Sequence, residues 1–578
     1  MAGTTLDILH LLEPNNLGAA VATKWQTFKT FRADWETEKK ELRNYVYATD
    51  TSTTANKRLP WANSTTTPKL TQIYDNLKAN YSAALFPNAK WMRWDATSED
   101  DATVQKRNAI QAYMMNKIQE SDFEIVADRL IDDFILYGNC FGTVEWVEDI
   151  EEIANGEFVV NYIGPRAVRI SPYDIVFDPT AAHWVDTPKI VRSVVKLGEV
   201  RRLIEEGGNE EYEAIFDKML GNRREVSRAT STEKAEAYIA DGFSSIEHYY
   251  GSDYVELLTF YGDIYDTDKD ILKTNHKIVV ADRAYVIKQE KIASWLGHEP
   301  IFHAGWRSRP DNLYAMGPLD NLVGMQYRID HLENLKADVF DQIAFPIQVI
   351  TGDVEEYDYA PGTKIRAGEE GNVRYLVPDT TALNADFQID NLSNKMEELA
   401  GAPRQAMGIR TPGEKTAFEV GALQNAAGRI FQHKAEKLER EILQPLLNAM
   451  LESARRNMDV SDTIRILDDA TGVTIFDTIT RADIKGNGKL RPLGASHFAE
   501  RAQRVQNITQ MLQLKADPTI GVHLSGKKVA EIIATELGED ALFGENITVQ
   551  EQLETQKAMQ DAEAQNVEDL TVAADGGF

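Results

Sequence analysis

The sequence predicts an α+β protein that is mostly helical. Three observations carry this. Long stretches repeat apolar residues at spacings of three and four, as a helix with one buried face requires. Two blocks rich in β-branched and aromatic residues, 140–177 and 254–288, are broken by Gly, Asn and Pro, as strands are. Finally, two helical stretches flank a short β-rich insert at 344–382. Two helices packed antiparallel can carry such an insert on their end, which suits an elongated subunit better than a compact enzyme domain.

Taken in order, residues 17–47 read as one long helix after Pro14-Asn15-Asn16, and 50–66 as a Ser/Thr/Asn-rich loop. A helix at 68–85 stops before Phe86-Pro87-Asn88. Helices at 100–120 and 122–137 follow, the second with Leu130, Ile131, Phe134 and Ile135 on one face and Gly138-Asn139 at its end. Strands begin at Cys140. A helix returns at 197–218, 228–245 reads as a linker, and strands resume at 254–288. Over 318–343 the stripe Leu322, Met325, Ile329, Leu332, Leu335, Val339 and Ile343 predicts a helix, which Phe345-Pro346 stops. Another helix starts near 383, with Leu383, Phe387, Leu392, Met396 and Leu399 on its stripe. A long helix spans 416–457, and Pro445 should kink it by removing a backbone donor. Residues 460–494 are short strands and a Gly-rich basic loop, and helices are expected at 496–515 and 526–537 before an acidic tail.

Composition bounds the function. The 578 residues suggest about three or four structural units. Hydrophobic residues at 43% are ordinary for a globular chain. There is no apolar run of membrane-spanning length, so no transmembrane helix is expected. The N-terminus MAGTTLDILHLLEPNN does not read as a signal peptide, so synthesis in the cytosol is expected. Cys140 is the single cysteine, which excludes an intrachain disulfide. Lys plus Arg number 62 and Asp plus Glu 91, a net charge of −29. A protein that coats DNA needs the opposite balance to neutralise phosphates. Contact with DNA would have to come from a local basic element, or from a channel whose wall repels it.

The motifs lead away from catalysis. Gly408-Ile-Arg-Thr-Pro-Gly413-Glu414-Lys415-Thr416 nearly spells a phosphate-binding loop, but Glu414 separates Gly413 from Lys415 and would repel a phosphate. A loop between helices is the plain reading, with Arg410 and Lys415 able to touch a polyanion. The ten histidines are scattered without ligand spacing, so no metal site or cofactor is expected. Cys140 reads as a small buried residue. Asp132-Asp133 and Glu205-Glu206 read as solvated helix faces. The cluster Leu85, Phe86, Trp91, Met92 and Trp94 reads as a core or a subunit contact. The basic stretches 223–224, 485–491 and 501–504 read as solvated faces that could also greet a nucleic-acid backbone.

Three segments carry a family resemblance: YSAALFPNAKWMRW at 81–94, WRSRPDNLYAMGPLDNL at 306–322, and the loop and long helix from Arg404 to Leu451. In this order they resemble the portal (head-to-tail connector) proteins of tailed bacteriophages, nearest to those of short-tailed phages. The likeness is collinear over about residues 60–515.

The resemblance implies a wing at 1–317, stem helices at 318–343 and 383–403, and a clip at 344–382. It implies a tunnel loop at 404–417, a return to the wing at 418–494, and a crown with an acidic tail at 495–578. Portals of this family form rings, usually of twelve subunits, at one capsid vertex of the virion, after assembly in the host cytoplasm. They pass double-stranded DNA during packaging and ejection. Their partners are the large terminase subunit, head–tail adaptor or tail proteins, and major capsid and scaffold proteins, with no membrane. They have no catalytic residues; ATP hydrolysis belongs to the terminase. On this chain the resemblance places Arg410, Thr411, Glu414 and Lys415 at the DNA channel. It makes Asp330, Glu333, Asp338 and Asp341 candidates for the stem lumen, and Tyr357, Tyr359, Lys364, Arg366 and Arg374 candidates for partner docking. Acidic walls would keep the conduit weakly binding, since only nearby charges act over a Debye length of about 8 Å. The rival readings are a nucleotide- or metal-dependent DNA-processing enzyme and another capsid or scaffold protein.

Overall fold

The computed structural model describes residues 8–10, 14–47, 62–86, 91–98, 104–153, 157–207, 210–226, 254–266, 271–292, 294–357, 363–376, 379–400, 430–459, 461–467 and 474–494. The chain divides into two units. One holds residues 1–460 and 480–494, the other 461–479 and 495–578. The expected linker at 228–245, the tunnel loop at 404–417 and the crown from 495 lie outside the described residues.

Strand β1 (Ile8–His10) is followed by helices α1 (Pro14–Phe31), α2 (Ala33–Val46) and α3 (Lys69–Leu85), strand β2 (Met92–Ala96), and helices α4 (Val104–Glu120) and α5 (Phe123–Leu136). Strands β3 (Asn139–Ile153), β4 (Glu157–Ile170), β5 (Ile175–Phe177) and β6 (Lys189–Lys196) come next, then helices α6 (Leu197–Gly207) and α7 (Glu210–Val226). Strands β7 (Tyr254–Asp266), β8 (Ile271–Ala281), β9 (Tyr285–Lys291), β10 (Phe302–Gly305), β11 (Arg307–Arg309) and β12 (Asn312–Met316) lead to helix α8 (Val323–Ala344). Hairpin strands β13 (Ile347–Thr351) and β14 (Asn372–Leu376) precede helix α9 (Asp386–Ala400) and helix α10 (Gln444–Asn457). Strands β15 (Ser461–Leu467), β16 (Thr474–Thr480) and β17 (Gly488–Pro492) close the described chain. The chain is α+β, as expected. In the second unit the described elements pair as a two-stranded sheet, β15 with β16.

Alternation along the strands builds the larger sheet, ordered β5-β6-β7-β8-β9 with β1 parallel to the end of β7. Leu258, Phe260, Ile264, Ile278, Val280 and Val286 face Val21, Trp25 and Phe28 of α1. Their neighbours Val255, Leu257, Val279, Ala281 and Ile287 face Val200, Ile204, Phe216 and Met219 of α6 and α7. The period of two thus sorts one strand's residues into two cores.

The expected helix at 17–47 is two helices. The break is at Arg32, whose buried guanidinium donates to the carbonyls of Pro172 (2.7 Å), Tyr173 (2.5 Å) and Ile175 (2.5 Å). A kink there satisfies three orphan acceptors at once, which local periodicity cannot reveal. The helix at 197–218 is likewise two, α6 and α7. Pro445 does not break its helix. Helical residues 430–438 run into a π-helical turn at Glu439–Leu443 just before it, and α10 continues. The wider turn makes room for the ring and for its missing donor.

Around α3 and α5 the packing is dense. Leu70, Ile73, Leu77, Tyr81 and Leu85 of α3 are buried, as are Phe123, Leu130, Ile131, Phe134 and Ile135 of α5. Tyr81 and Phe134 meet edge to face at 5.8 Å, and Trp306 donates to the Tyr81 hydroxyl at 3.0 Å. Trp91, Met92 and Trp94 are core residues, as the sequence suggested, and β2 pairs with β17. Gly138 ends α5 at φ 69°, and a Cβ there would lie 2.4 Å from the Gly317 nitrogen. Cys140 is fully buried.

Asp133 corrects the reading of the Asp132 pair as a solvated face. It is buried and takes a two-pronged bond from Arg169 at 2.6 and 2.7 Å. Burial pushes its carboxyl up to about 7, with Arg169 pulling the other way. Asp132 accepts from the Tyr74 hydroxyl and from Lys78. Glu205 is exposed and pairs with Arg201 at 2.9 Å, as a solvated face should.

Candidate functional site: a helix pair with an exposed hairpin

Helices α8 and α9 flank the hairpin β13–β14, so the helix–insert–helix pattern of the sequence is present. Both helices begin with a 3-10 turn, Asp320–Leu322 and Thr380–Ala385. The base of α8 is anchored to the body. Buried Lys39 of α2 forms an ion pair with Asp320, which also accepts from the Gly317 amide at 2.8 Å. Lys69 at the start of α3 bonds Glu397 of α9 at 2.5 Å. Lys336 of α8 pairs with Asp386 at the start of α9, and that bond holds its ammonium above the usual lysine range.

The predicted α8 stripe is buried only near the body. Leu322, Ile329 and Leu332 are buried, whereas Leu335 and Ile343 are exposed, as is Phe340 beside the stripe. On α9, Ile389 and Met396 are buried, while Phe387 is 78% exposed and Leu399 is also exposed. Beyond the helices the exposure continues: Phe345 at 70% and Ile347 at 64%, with Ile350, Tyr375 and Leu376 also open.

The hairpin has no core of its own. Its register runs from Ile347 opposite Leu376 to Thr351 opposite Asn372, and a bridge joins Val354 to Ala367. Not one described residue between 344 and 376 is buried. Gly352 sits at φ 75°, where a Cβ would lie 2.1 Å from the Glu370 carbonyl oxygen, so the turn requires glycine.

The docking candidates fall on this hairpin. Tyr357 is half-buried and donates its hydroxyl to Gln348 at 2.6 Å. Arg366 is exposed and stands 4.0 Å from Glu355. Lys364 and Arg374 are exposed. Tyr359 lies outside the described residues, as do Arg410, Thr411, Glu414 and Lys415.

Three of the four lumen candidates, Asp330, Asp338 and Asp341, do something the sequence reading missed. Residues 63–70 run antiparallel along α8, and the polar side chains of α8 take up their backbone. Asp338 accepts from the Asn63 amide at 2.6 Å, and Asp341 from the Asn63 side chain at 2.8 Å. Asn334 accepts from the Thr65 amide at 2.7 Å and donates to its carbonyl at 3.0 Å. Asp330 accepts from the Thr67 amide at 2.8 Å. Gln326 accepts from the Leu70 amide at 3.1 Å and donates to the Thr67 carbonyl at 2.5 Å. The spacing explains the match. Four helical residues advance about 6 Å and two extended residues about 6.6 Å, so one side chain per turn meets every second residue.

Asp330 is therefore withdrawn as a lumen residue, because it is wholly buried in this contact. Burial pushes its carboxyl up to about 6, against the pull of the Thr67 and Gln326 donors. Asp338 and Asp341 hold the Asn63 segment, and Glu333 lies 3.4 Å from Lys336. The signal was present as Gln326, Asp330, Asn334 and Asp338 at steps of four. Amides among the acids mark a surface that both donates and accepts.

Among the described residues, no group of His, Cys, Asp and Glu could hold a metal ion, and no helix is long and apolar enough to cross a membrane. His303 is half-buried, stacked on Phe141 with its Nε2 3.0 Å from the Asn139 oxygen, and desolvation lowers it to about 3.

An α+β body that holds a helix pair and its exposed hairpin is consistent with a portal-type subunit. Residues 19–169, from α1 to β4, match the family described as bacteriophage head to tail connecting protein. The chain has a structural portal role in joining phage head and tail, which places it at the portal vertex of the virion and in contact with capsid and tail components. No curated protein matches the chain.

Proposed function

We propose that the chain assembles into a ring that conducts double-stranded DNA into and out of the capsid. In this reading α8 and α9 are the stem, and the hairpin region at 344–382 is the clip, where the terminase and then the tail adaptor dock. Residues 1–317 and 418–494 form the wing, the loop at 404–417 lines the channel, and residues 495–578 form the crown. The ring is built in the host cytoplasm. The chain has no catalytic activity of its own.

One observation carries the reading. Phe340, Ile343, Phe345, Ile347 and Ile350 stand in water from the end of α8 into the hairpin, as does Phe387 at the start of α9. Exposed large apolar residues gathered in this way mark an interface. A two-stranded hairpin without a core is stable only when something covers it. Neighbouring copies arranged head to tail would cover it and close a ring.

End-on averages of the purified protein in negative-stain electron microscopy test this. Closed rings of about twelve subunits around a central hole are expected, in line with closed cyclic assembly. Monomers or dimers at high concentration would overturn it. ATP hydrolysis by the purified chain, lost in Lys415→Ala, would favour an enzyme instead.

A further inference from the structure

The β3–β4 ribbon outruns the body that supports it. At its base Cys140 and Phe141 are buried, and a Cβ on Gly142 would lie 3.1 Å from Leu446 of α10. The pairing continues to Ile153 opposite Glu157, through a bulge at Asp149 and Ile150. Past Val147 on one strand, and before Tyr162 on the other, every residue whose burial is described is exposed. The pairs Ile150–Val160 and Glu152–Phe158 put Ile150, Phe158 and Val160 on one face, at 47%, 55% and 68% exposure for Ile150, Val160 and Phe158. Glu148, Asp149 and Glu151 surround them. The tip is acidic and apolar at once.

A complementary surface lies elsewhere on the same chain. At the end of α10 is an open cavity of about 930 Å³ lined by Arg455, Arg456, Arg481 and Lys485, with Glu452 as its one acid. Arg456 pairs with Glu452 at 2.9 Å, and two more of its cations are held by backbone carbonyls. Arg481 donates to the carbonyls of Arg455 (2.7 Å) and Arg456 (3.0 Å), and Arg455 to that of Ile484 (2.8 Å). The Arg456 guanidinium stands 5.6 Å from the Trp295 ring, which adds an aromatic rim. No ribbon residue lines this cavity.

We propose that the ribbon tip of one copy docks on the Arg456–Arg481–Lys485 cavity of the neighbouring copy. The inference rests on the ring reading. In a ring, each interface joins two different patches of one sequence, so a chain that builds one must carry both halves. Here the halves match in charge, acidic on the tip and basic in the cavity, and charge complementarity fixes register and suppresses wrong pairings. A DNA backbone would satisfy the cations but would leave Ile150, Phe158 and Val160 in water.

Charge exchange in the full chain tests it. Asp149→Lys with Glu151→Lys should weaken ring assembly about tenfold or more, and so should Arg456→Glu with Lys485→Glu, while the four changes together should restore it to within a few-fold. Independently, Val159→Cys with Ala482→Cys should give an oxidative ladder of covalently joined subunits, since native Cys140 is buried. This second arm decides the matter if a charge variant fails to fold.

Wild-type rings with no ladder and no rescue would overturn the contact and leave the ring reading intact. Loss of DNA retention alone in Arg456→Glu with Lys485→Glu would assign the cavity to DNA instead. Absence of wild-type rings would remove both proposals.

Discussion

The body around α3 and α5 and the hairpin β13–β14 draw on similar residue types and use them in opposite ways. Tyr81, Phe134 and Trp94 are buried against one another or their neighbours, whereas Phe345, Ile347 and Tyr375 meet water. In the body, apolar area holds one chain together, at roughly 25 cal/mol for each Å² removed from water. At the hairpin, the same area does nothing for the isolated subunit and is left for another surface. On the proposed reading, the contrast separates residues that fold the subunit from residues that would join it to others.

The largest expected effect is in the body. Trp94→Ala should cost about 3–5 kcal/mol, read as a lowered thermal midpoint of the isolated subunit. A midpoint unchanged from wild type would show that the body is not the stable half. Arg169→Met should come next, at about 3 kcal/mol or more, because it strands the buried Asp133 carboxyl.

The hairpin should invert this pattern. Phe345→Ser with Ile347→Ser should change subunit stability by less than about 0.5 kcal/mol, yet abolish rings by electron microscopy. Unfolding of the variant subunit would break the comparison, since it would show that the hairpin supports its own chain. Asn334→Ala should cost about 1–2 kcal/mol and speed hydrogen exchange at the Thr65 amide, because it removes both bonds to that residue.

A separate test of the body is the pH response of His303. Its folded value, about 3, lies below the ordinary value of 6.5. The unfolded chain therefore takes up this proton first as pH falls. The stability that the neutral ring contributes is complete above 6.5 and is lost as pH falls towards 3. His303→Gln should flatten that part of a stability-against-pH curve, since Asn139 keeps its bond from the Ala315 amide. Persistence of the slope would assign it to other groups.

What could be read from the sequence follows from how local each feature is. Helix α3, the strands from Asn139 to Phe177 and the helix–insert–helix pattern were legible because period and punctuation are written in adjacent residues. The break at Arg32 was not, because its reason is three carbonyls more than a hundred residues away. Asp133 reads as a surface acid until Arg169 is placed beside it. The same limit hid the true task of Asp330 and Asp338. Their partners Thr67 and Asn63 sit in a stretch that reads only as a polar loop.

That contact between residues 63–70 and α8 also has a mechanical consequence. Its bonds lie side by side along the helix, so a pull on the hairpin along the α8 axis would load them in shear, all together. Slippage by less than one helical turn would leave every backbone group opposite the wrong side chain. The helix is thus latched at steps of about 6 Å, the rise of four residues. Whatever tugs at the hairpin end of α8 is resisted by the segment before α3 as one unit, or not at all.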